Sequence, residues 1–283
     1  MNVRLGLVAL LAWTHLANAA TNDQQSALDA ALSIDRPIAA LDSHWLEELT
    51  WVEVRDAIAA GKTTVIVPTG GIEQNGPYVA LGKHNYILQS ACPMLAEALG
   101  DALCAPIVKF VPEGGIDPPT GHMFFPGTIS VRETTYISLL EDIVASLAMH
   151  GFTDIVVIAD SGGNVAGAKE AVNNLNARPL KTGVRAYYMA EFYDNPGVIA
   201  VQESLGIKEV SEGYHDFYWA TAMQMVTNPQ TVRYEQRVAV GKASINGVSI
   251  APQEKTIEVG RKLLRYRIDR TELAIRRAIL ERK

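Results

Sequence analysis

The sequence predicts an α/β fold, a three-layer α/β/α sandwich with a mostly parallel central sheet. Three observations carry this expectation. The apolar, β-branched runs Thr64–Pro68 and Ile155–Ile158 have the length and composition of buried strands. Longer amphipathic patterns separate such runs, and strand–helix–strand alternation closes as a parallel sheet with helices on both faces. Both runs end in glycine-rich turns, Thr69-Gly70-Gly71 and Asp160-Ser161-Gly162-Gly163-Asn164. In open α/β sheets, the crevice beyond such strand ends is where ligands bind.

The elements follow in order. Residues 1–19 combine Arg4, an apolar stretch from Leu5 to Trp13 and the small-x-small triplet Ala17-Asn18-Ala19. That is the pattern of a cleaved secretory signal peptide, too short to span a bilayer, and it predicts a periplasmic or secreted protein with no membrane contact after cleavage. Residues 20–283 are read as a single domain. Thr21–Ser43 reads as a short helix and an extended arm. Trp51–Ala60 reads as a helix with Thr50 as N-cap, Glu53 at the capping-box position and Gly61 at its end. Ile87–Leu99 is a helix closed by Gly100, and Ala105–Val111 a strand. Pro112–Gly127 is too long and too rich in glycine and proline for a routine connection, which makes it a candidate active-site loop. A helix over Val131–His150, one from the Asp160 turn through Asn176, a strand over Val184–Met189 and a helix over Tyr214–Met225 follow. The last segment, Glu254–Lys283, reads as a surface helix whose basic residues form a solvated face.

Composition bounds the function. The chain of 283 residues is 48% hydrophobic, enough for a substantial core, and its formal net charge of −6, with no compensating basic block, argues against a nucleic-acid partner. The two cysteines, Cys92 and Cys104, either pair in an oxidising compartment or stay as buried thiols; the sequence leaves both open.

The densest polar group follows the first strand: Glu73, Gln74, Asn75, Tyr78, Lys83, His84 and Asn85. The stretch PTGGIEQNGPYVALGKHN resembles the creatininase family signature, roughly P-x-G-S-x-E-Q-H-G-P-H-L-P-L-G-T-D. Leu49-Thr50-Trp51 with Ala57–Gly61, GHMFFPGTIS at Gly121–Ser130 and HGFTDIVVIADSGGN at His150–Asn164 agree in order, so the likeness spans roughly Leu49 to Pro229. The resemblance implies a creatininase-like fold, subunits assembled in rings, and hydrolysis of a small cyclic amide or related C–N bond with a pair of metal ions.

Carried over residue by residue, the resemblance is incomplete. The family's first glutamate is Glu73, but the histidine two residues on is Asn75, the aspartate is His84 and the later histidine is Ser161. Amide and hydroxyl groups are poor zinc ligands beside imidazole and carboxylate, so a two-ion site is not expected. Three readings stay open. Glu73, His84 and Asp160 hold one divalent ion (zinc, manganese or iron); the site runs acid/base chemistry with no metal; or the chain is a small-molecule-binding protein that has lost catalysis. Asp160 has a competing role as a turn or helix N-cap residue. The resemblance places His215 as the proton donor to the leaving nitrogen, near-neutral in pKa as that role needs, with Glu73 beside it. His122, Asn75, Tyr78 and Ser161 are the expected substrate contacts. Ser161 lacks the leading glycine of a G-x-S-x-G elbow, which weighs against a serine hydrolase.

Overall fold

The computed structural model describes residues 23–178 and 183–282, so the signal-peptide reading of residues 1–19 lies outside the described part. Four strands, β1 (Thr64–Thr69), β2 (Ala102–Cys104), β3 (Asp154–Ala159) and β4 (Arg185–Tyr188), form one fully parallel sheet in the order β2-β1-β3-β4. The two longest strands, β1 and β3, lie at its centre and pair from Thr64↔Asp154 to Thr69↔Ala159. Because successive side chains point to opposite faces, each strand feeds two cores. Val65, Val67, Ile155 and Val157 face one cluster; Ile66, Val156 and Ile158 face the other.

The first face is covered by α2 (Trp51–Ala59), α4 (Glu133–Met149) and α5 (Val165–Ala177). The second is covered by α3 (Lys83–Leu99), α7 (Tyr218–Thr227) and α9 (Gln253–Glu281). This is the three-layer arrangement expected. A helix over residues 23–32, α1, precedes an arm held on α2: Arg36 pairs with Asp56 at 2.8 Å and Arg55 donates to the Leu32 and Ile34 carbonyls. The capping box of α2 forms as read, with Thr50 accepting from the Glu53 N–H and the Glu53 carboxylate accepting from the Thr50 N–H at 2.7 Å. Short helices α6 (Asn195–Ser204) and α8 (Tyr234–Ala239) complete the chain with a small hairpin, β5 (Ser244–Ile245) and β6 (Val248–Ser249). Among the described residues no helix is long and apolar enough to cross a membrane.

Four readings are corrected. The strand expected over Ala105–Val111 lies instead at Ala102–Cys104: the Ala105 N–H still meets the Ile66 carbonyl, but past Pro106 the register slips and only a single bridge from Thr69 to Val108 continues the pairing. The helix expected from Ile87 begins four residues sooner, which places Lys83 and His84 on its first turn. The helix expected from Tyr214 begins at Tyr218, whose N–H is accepted by the Glu209 carboxylate at 2.8 Å, so His215 and Asp216 stand in the preceding loop. Asn246 in the β5–β6 turn ties that loop down by donating to the Asp216 carbonyl. Finally, α9 is no mere surface helix: Leu263, Leu264, Arg267, Ile268 and Ile275 are buried. Cys92 and Cys104, left open above, are bonded with their Cα atoms 6.1 Å apart, joining α3 to β2.

The approach of α9 to α7 depends on Gly260, where an added Cβ would stand 2.0 Å from the Ala222 carbonyl oxygen. Backbone cannot move aside as a side chain can. Gly260→Ala is therefore expected to lower unfolding free energy by about 1–3 kcal/mol, the usual cost of overpacking, read by urea denaturation; an unchanged midpoint would mean the two helices are not locked by this contact.

Candidate active site

Every element that reaches the site does so from the C-terminal edge of the sheet. The chain leaves β1 through Gly70-Gly71 to Glu73, returns through α3 to Lys83 and His84, and leaves β3 at Asp160 and Ser161. The long loop between β2 and α4 supplies Glu113 and His122, and the loop before α7 supplies His215. Together with Tyr193, Asn195, Phe217 and Trp219 these residues line a cavity of about 350 Å³. That volume suits a small molecule.

At its floor lies a buried charge network. His84 donates from Nδ1 to Asp160 Oδ2 and from Nε2 to Glu73 Oε1, both at 2.7 Å. Asp160 also pairs with Arg267 of α9, a fully buried guanidinium that donates a second hydrogen bond to Asn195 and lies over the rings of Phe192 and Trp219. Lys83 places its ammonium 3.4 Å from the same Glu73 oxygen. Burial works to raise the Glu73 carboxyl, but His84, Lys83 and His215 outweigh it and hold it far below the usual carboxylate range. Burial likewise opposes ionised Asp160, and Arg267 with His84 overcomes it. Burial and Lys83 oppose a charged His84, yet its two carboxylate partners raise its pKa above the ordinary imidazole value.

His122 and His215 form the other wall. Their rings are 4.4 Å apart, His122 Nε2 stands 3.1 Å from Glu73 Oε2, and His215 Nδ1 donates to the Gln74 carbonyl at 3.1 Å. Burial, then Lys83, push the His215 imidazolium below its ordinary value, so at neutral pH the ring is neutral with its lone pair on Nε2. Glu113 completes the site. Burial first and Glu73 second push its carboxyl up to about 9. Its Oε2 accepts from Ser161 Oγ at 3.4 Å, and its Oε1 is buried with no partner among the described residues.

The residues singled out in the sequence divide accordingly. Glu73, His84 and Asp160, the expected ligand set, do come together, but as ion pairs: both His84 nitrogens are spent on carboxylates and neither keeps a lone pair for an ion. The donor atoms that converge within 4.8 Å of one another are those of Glu73, His122 and His215. Asn75 is fully buried and turned toward its own loop, donating to the Glu73 carbonyl at 2.8 Å. Tyr78 is exposed under the Arg237 guanidinium, outside the cavity lining. His122 and Ser161 line the cavity. Sequence reasoning missed Glu113 and Arg267. An acid beside Gly114-Gly115 in a loop already marked as functional was a usable signal for the first; the second had none.

The network gives stability a defined pH dependence. A raised His84 pKa contributes stability that is fully present below about 6.5 and is lost as pH rises through the folded-state value. A depressed Asp160 pKa contributes stability present above about 3.8 and lost as pH falls through its folded-state value. Melting curves across pH are expected to show both limbs, with Asp160→Asn flattening them. Arg267→Met strands a buried carboxylate and is expected to cost about 3–5 kcal/mol; a loss below about 1 kcal/mol would show the pair to be dispensable.

Comparison with known proteins agrees with this architecture. The creatininase family profile, described as creatinine amidohydrolase, matches residues 47–271. A creatinine amidohydrolase from Pseudomonas putida is 29% identical over 164 residues, covering 56% of this chain and 62% of its own length, so the chain matches less than two thirds of that relative. A manganese creatininase (23% identical, TM-score 0.59) and a zinc–zinc form of a creatininase variant (22% identical, TM-score 0.60) share the fold, each over 84% of this chain and 99% of theirs. With a profile that spans most of its length and the signature segment forming the floor of its cavity, this chain belongs to the creatininase family.

Proposed function

We propose that this protein is an exported amidohydrolase that cleaves a C–N bond of a small cyclic amide or lactam, using one divalent ion held by Glu73, His122 and His215. The convergence of those three donors at a small-molecule cavity carries the reading. A carboxylate oxygen and two imidazoles suit zinc or manganese, and a three-ligand set leaves a coordination position open for water or substrate. A bound ion would supply Lewis acidity, polarising the amide carbonyl and making bound water a stronger acid. Glu73, His122 and His215 make one such set, while the residues aligned with the family's remaining ligands are Asn75, His84 and Ser161, none of which has a free ligand atom of the usual kind.

The chain's own residues do the rest. His84 and Lys83 keep Glu73 ionised and fix its orientation. His215 stays neutral near pH 7, its tautomer set by the Gln74 carbonyl. Phe217 and Trp219, stacked with ring centroids 5.5 Å apart, wall the cavity with apolar surface against which a flat heterocycle can lie and from which water is displaced. The Cys92–Cys104 bond supports export, since disulfides persist in oxidising compartments.

A second reading, a small-molecule-binding protein without catalysis, is favoured by one observation: Asn75 and Ser161 replace two imidazoles. Metal analysis separates the two. The mature protein is expected to carry one equivalent of zinc or manganese per chain and to hydrolyse members of a panel of cyclic amides, with Glu73→Gln lowering turnover by about 10²–10⁴-fold. No bound metal after reconstitution, together with no turnover, would leave the binding reading.

Because His215 must be neutral and its pKa is depressed, kcat/KM is expected to stay level down to about pH 6.5 and to fall only below it. An acidic limb centred well above that value would contradict the assignment.

A further inference from the structure

Glu113 is the one strongly buried acid at the cavity that the reading above leaves without a role. Its backbone is fixed from two sides. Its N–H donates to Ser130 Oγ at 2.9 Å, and its carbonyl accepts from the His122 N–H at 3.1 Å. The side chain therefore enters the cavity from the same loop that presents His122. Only 4% of the residue is exposed, yet its Oε1 has no hydrogen-bond partner among the described residues. A buried carboxyl oxygen facing a second acid is settled either by a proton held between it and Glu73 or by a ligand that takes that proton's place.

Room for this carboxylate is built into the backbone. A Cβ on Gly71 would stand 1.9 Å from Glu113 Oε1, so any side chain at position 71 would expel it. The family signature quoted above has a serine there. At the other end the Glu113 carboxylate meets Ser161, whose hydroxyl is too weak a donor to neutralise it. The missing serine at position 71 and the acid at position 113 thus belong together. They place a second carboxylate beside Glu73, in a cavity lined by two imidazoles. Two acids crowded in this way call for a positive charge between them.

Resting on the single-ion reading above, we propose that Glu113 is a ligand of that ion, so that the site is a two-histidine, two-carboxylate set drawn from Glu73, Glu113, His122 and His215. An ion held there would be drawn from three segments, the loop of Glu113 and His122, the strand-end loop of Glu73 and the loop of His215. Asp160 and His84 stand behind it as fixed charges and do not touch it.

The test is calorimetric titration of the full mature chain, stripped of metal, with zinc and with manganese. Glu113→Gln keeps the shape of the side chain and removes its ability to ionise when an ion binds. It is expected to weaken binding at least tenfold for both ions while leaving the melting temperature of the metal-free protein within a few degrees of wild type. Gly71→Ser, which changes no donor, is expected to weaken binding similarly by displacing the carboxylate. X-ray absorption of the zinc-loaded wild type is expected to show one fewer oxygen ligand in the glutamine variant. If wild type binds tightly and Glu113→Gln binds equally well, Glu113 is not a ligand and the three-donor site stands alone. Unchanged affinity with lost turnover would make it a proton carrier instead, and would also overturn the proposal. If wild type binds neither ion, this inference fails together with the single-ion reading.

Discussion

A carboxylate removed from water must be neutralised, and the architecture of this protein is arranged around neutralising Glu73. Desolvating an ion costs several kcal/mol, which a single partner rarely returns. Here the compensation is distributed: Lys83 and His84 from the first turn of α3 approach one oxygen, His122 from a distant loop the other. His84 can serve only because Asp160, at the end of β3, holds its second nitrogen, and Asp160 can stay ionised only because Arg267 reaches it from α9. The reach of Arg267 depends in turn on the tight seating of α9 on α7 at Gly260. The C-terminal helix, outwardly a lid on the second core, is thereby an electrostatic component of the site.

The proposal of one ion rather than two rests on this arrangement. A second divalent cation needs unoccupied carboxylate or imidazole ligands. On the floor those groups are already committed to one another, with Lys83 and His84 supplying in fixed form the positive charge that a second ion would bring. On the wall, His215 is held through one nitrogen by the Gln74 carbonyl, Glu113 meets Ser161 through one oxygen, and His122 stands near Glu73 and Gln74. The division between a self-compensated floor and a wall with free ligand atoms is what makes the cavity asymmetric.

How far the sequence revealed this depends on the range of the interaction. Locally coded features were legible: the β-branched runs of β1 and β3, the capping box of Thr50 and Glu53, the glycine at the end of α3, and the cluster from Glu73 to His84. Features set by one residue against a trend were harder, as where Pro106 cut short an otherwise convincing strand. Those set by distant partners were not legible. Arg267 lies 107 residues from Asp160 in the chain, and in an amphipathic pattern an arginine reads as solvent-facing whatever it meets. The role of His84 failed for the same reason: its type and position suggested a ligand, and nothing local disclosed that both its nitrogens were already engaged.

Position 84 shows why residue type at an aligned site does not carry its role. An aspartate there brings negative charge and lone pairs; a histidine between two carboxylates brings positive charge and only donors. The change of sign is tolerated because the neighbours change with it. Lys83 adds a further cation, so the floor would be over-supplied with positive charge were Asp160 protonated, and Asp160 is kept ionised by a guanidinium that meets no water. With no lone pair at position 84 the floor offers fewer ligand atoms, and in the proposed site the Glu113 carboxylate, seated in the gap at Gly71, would add one.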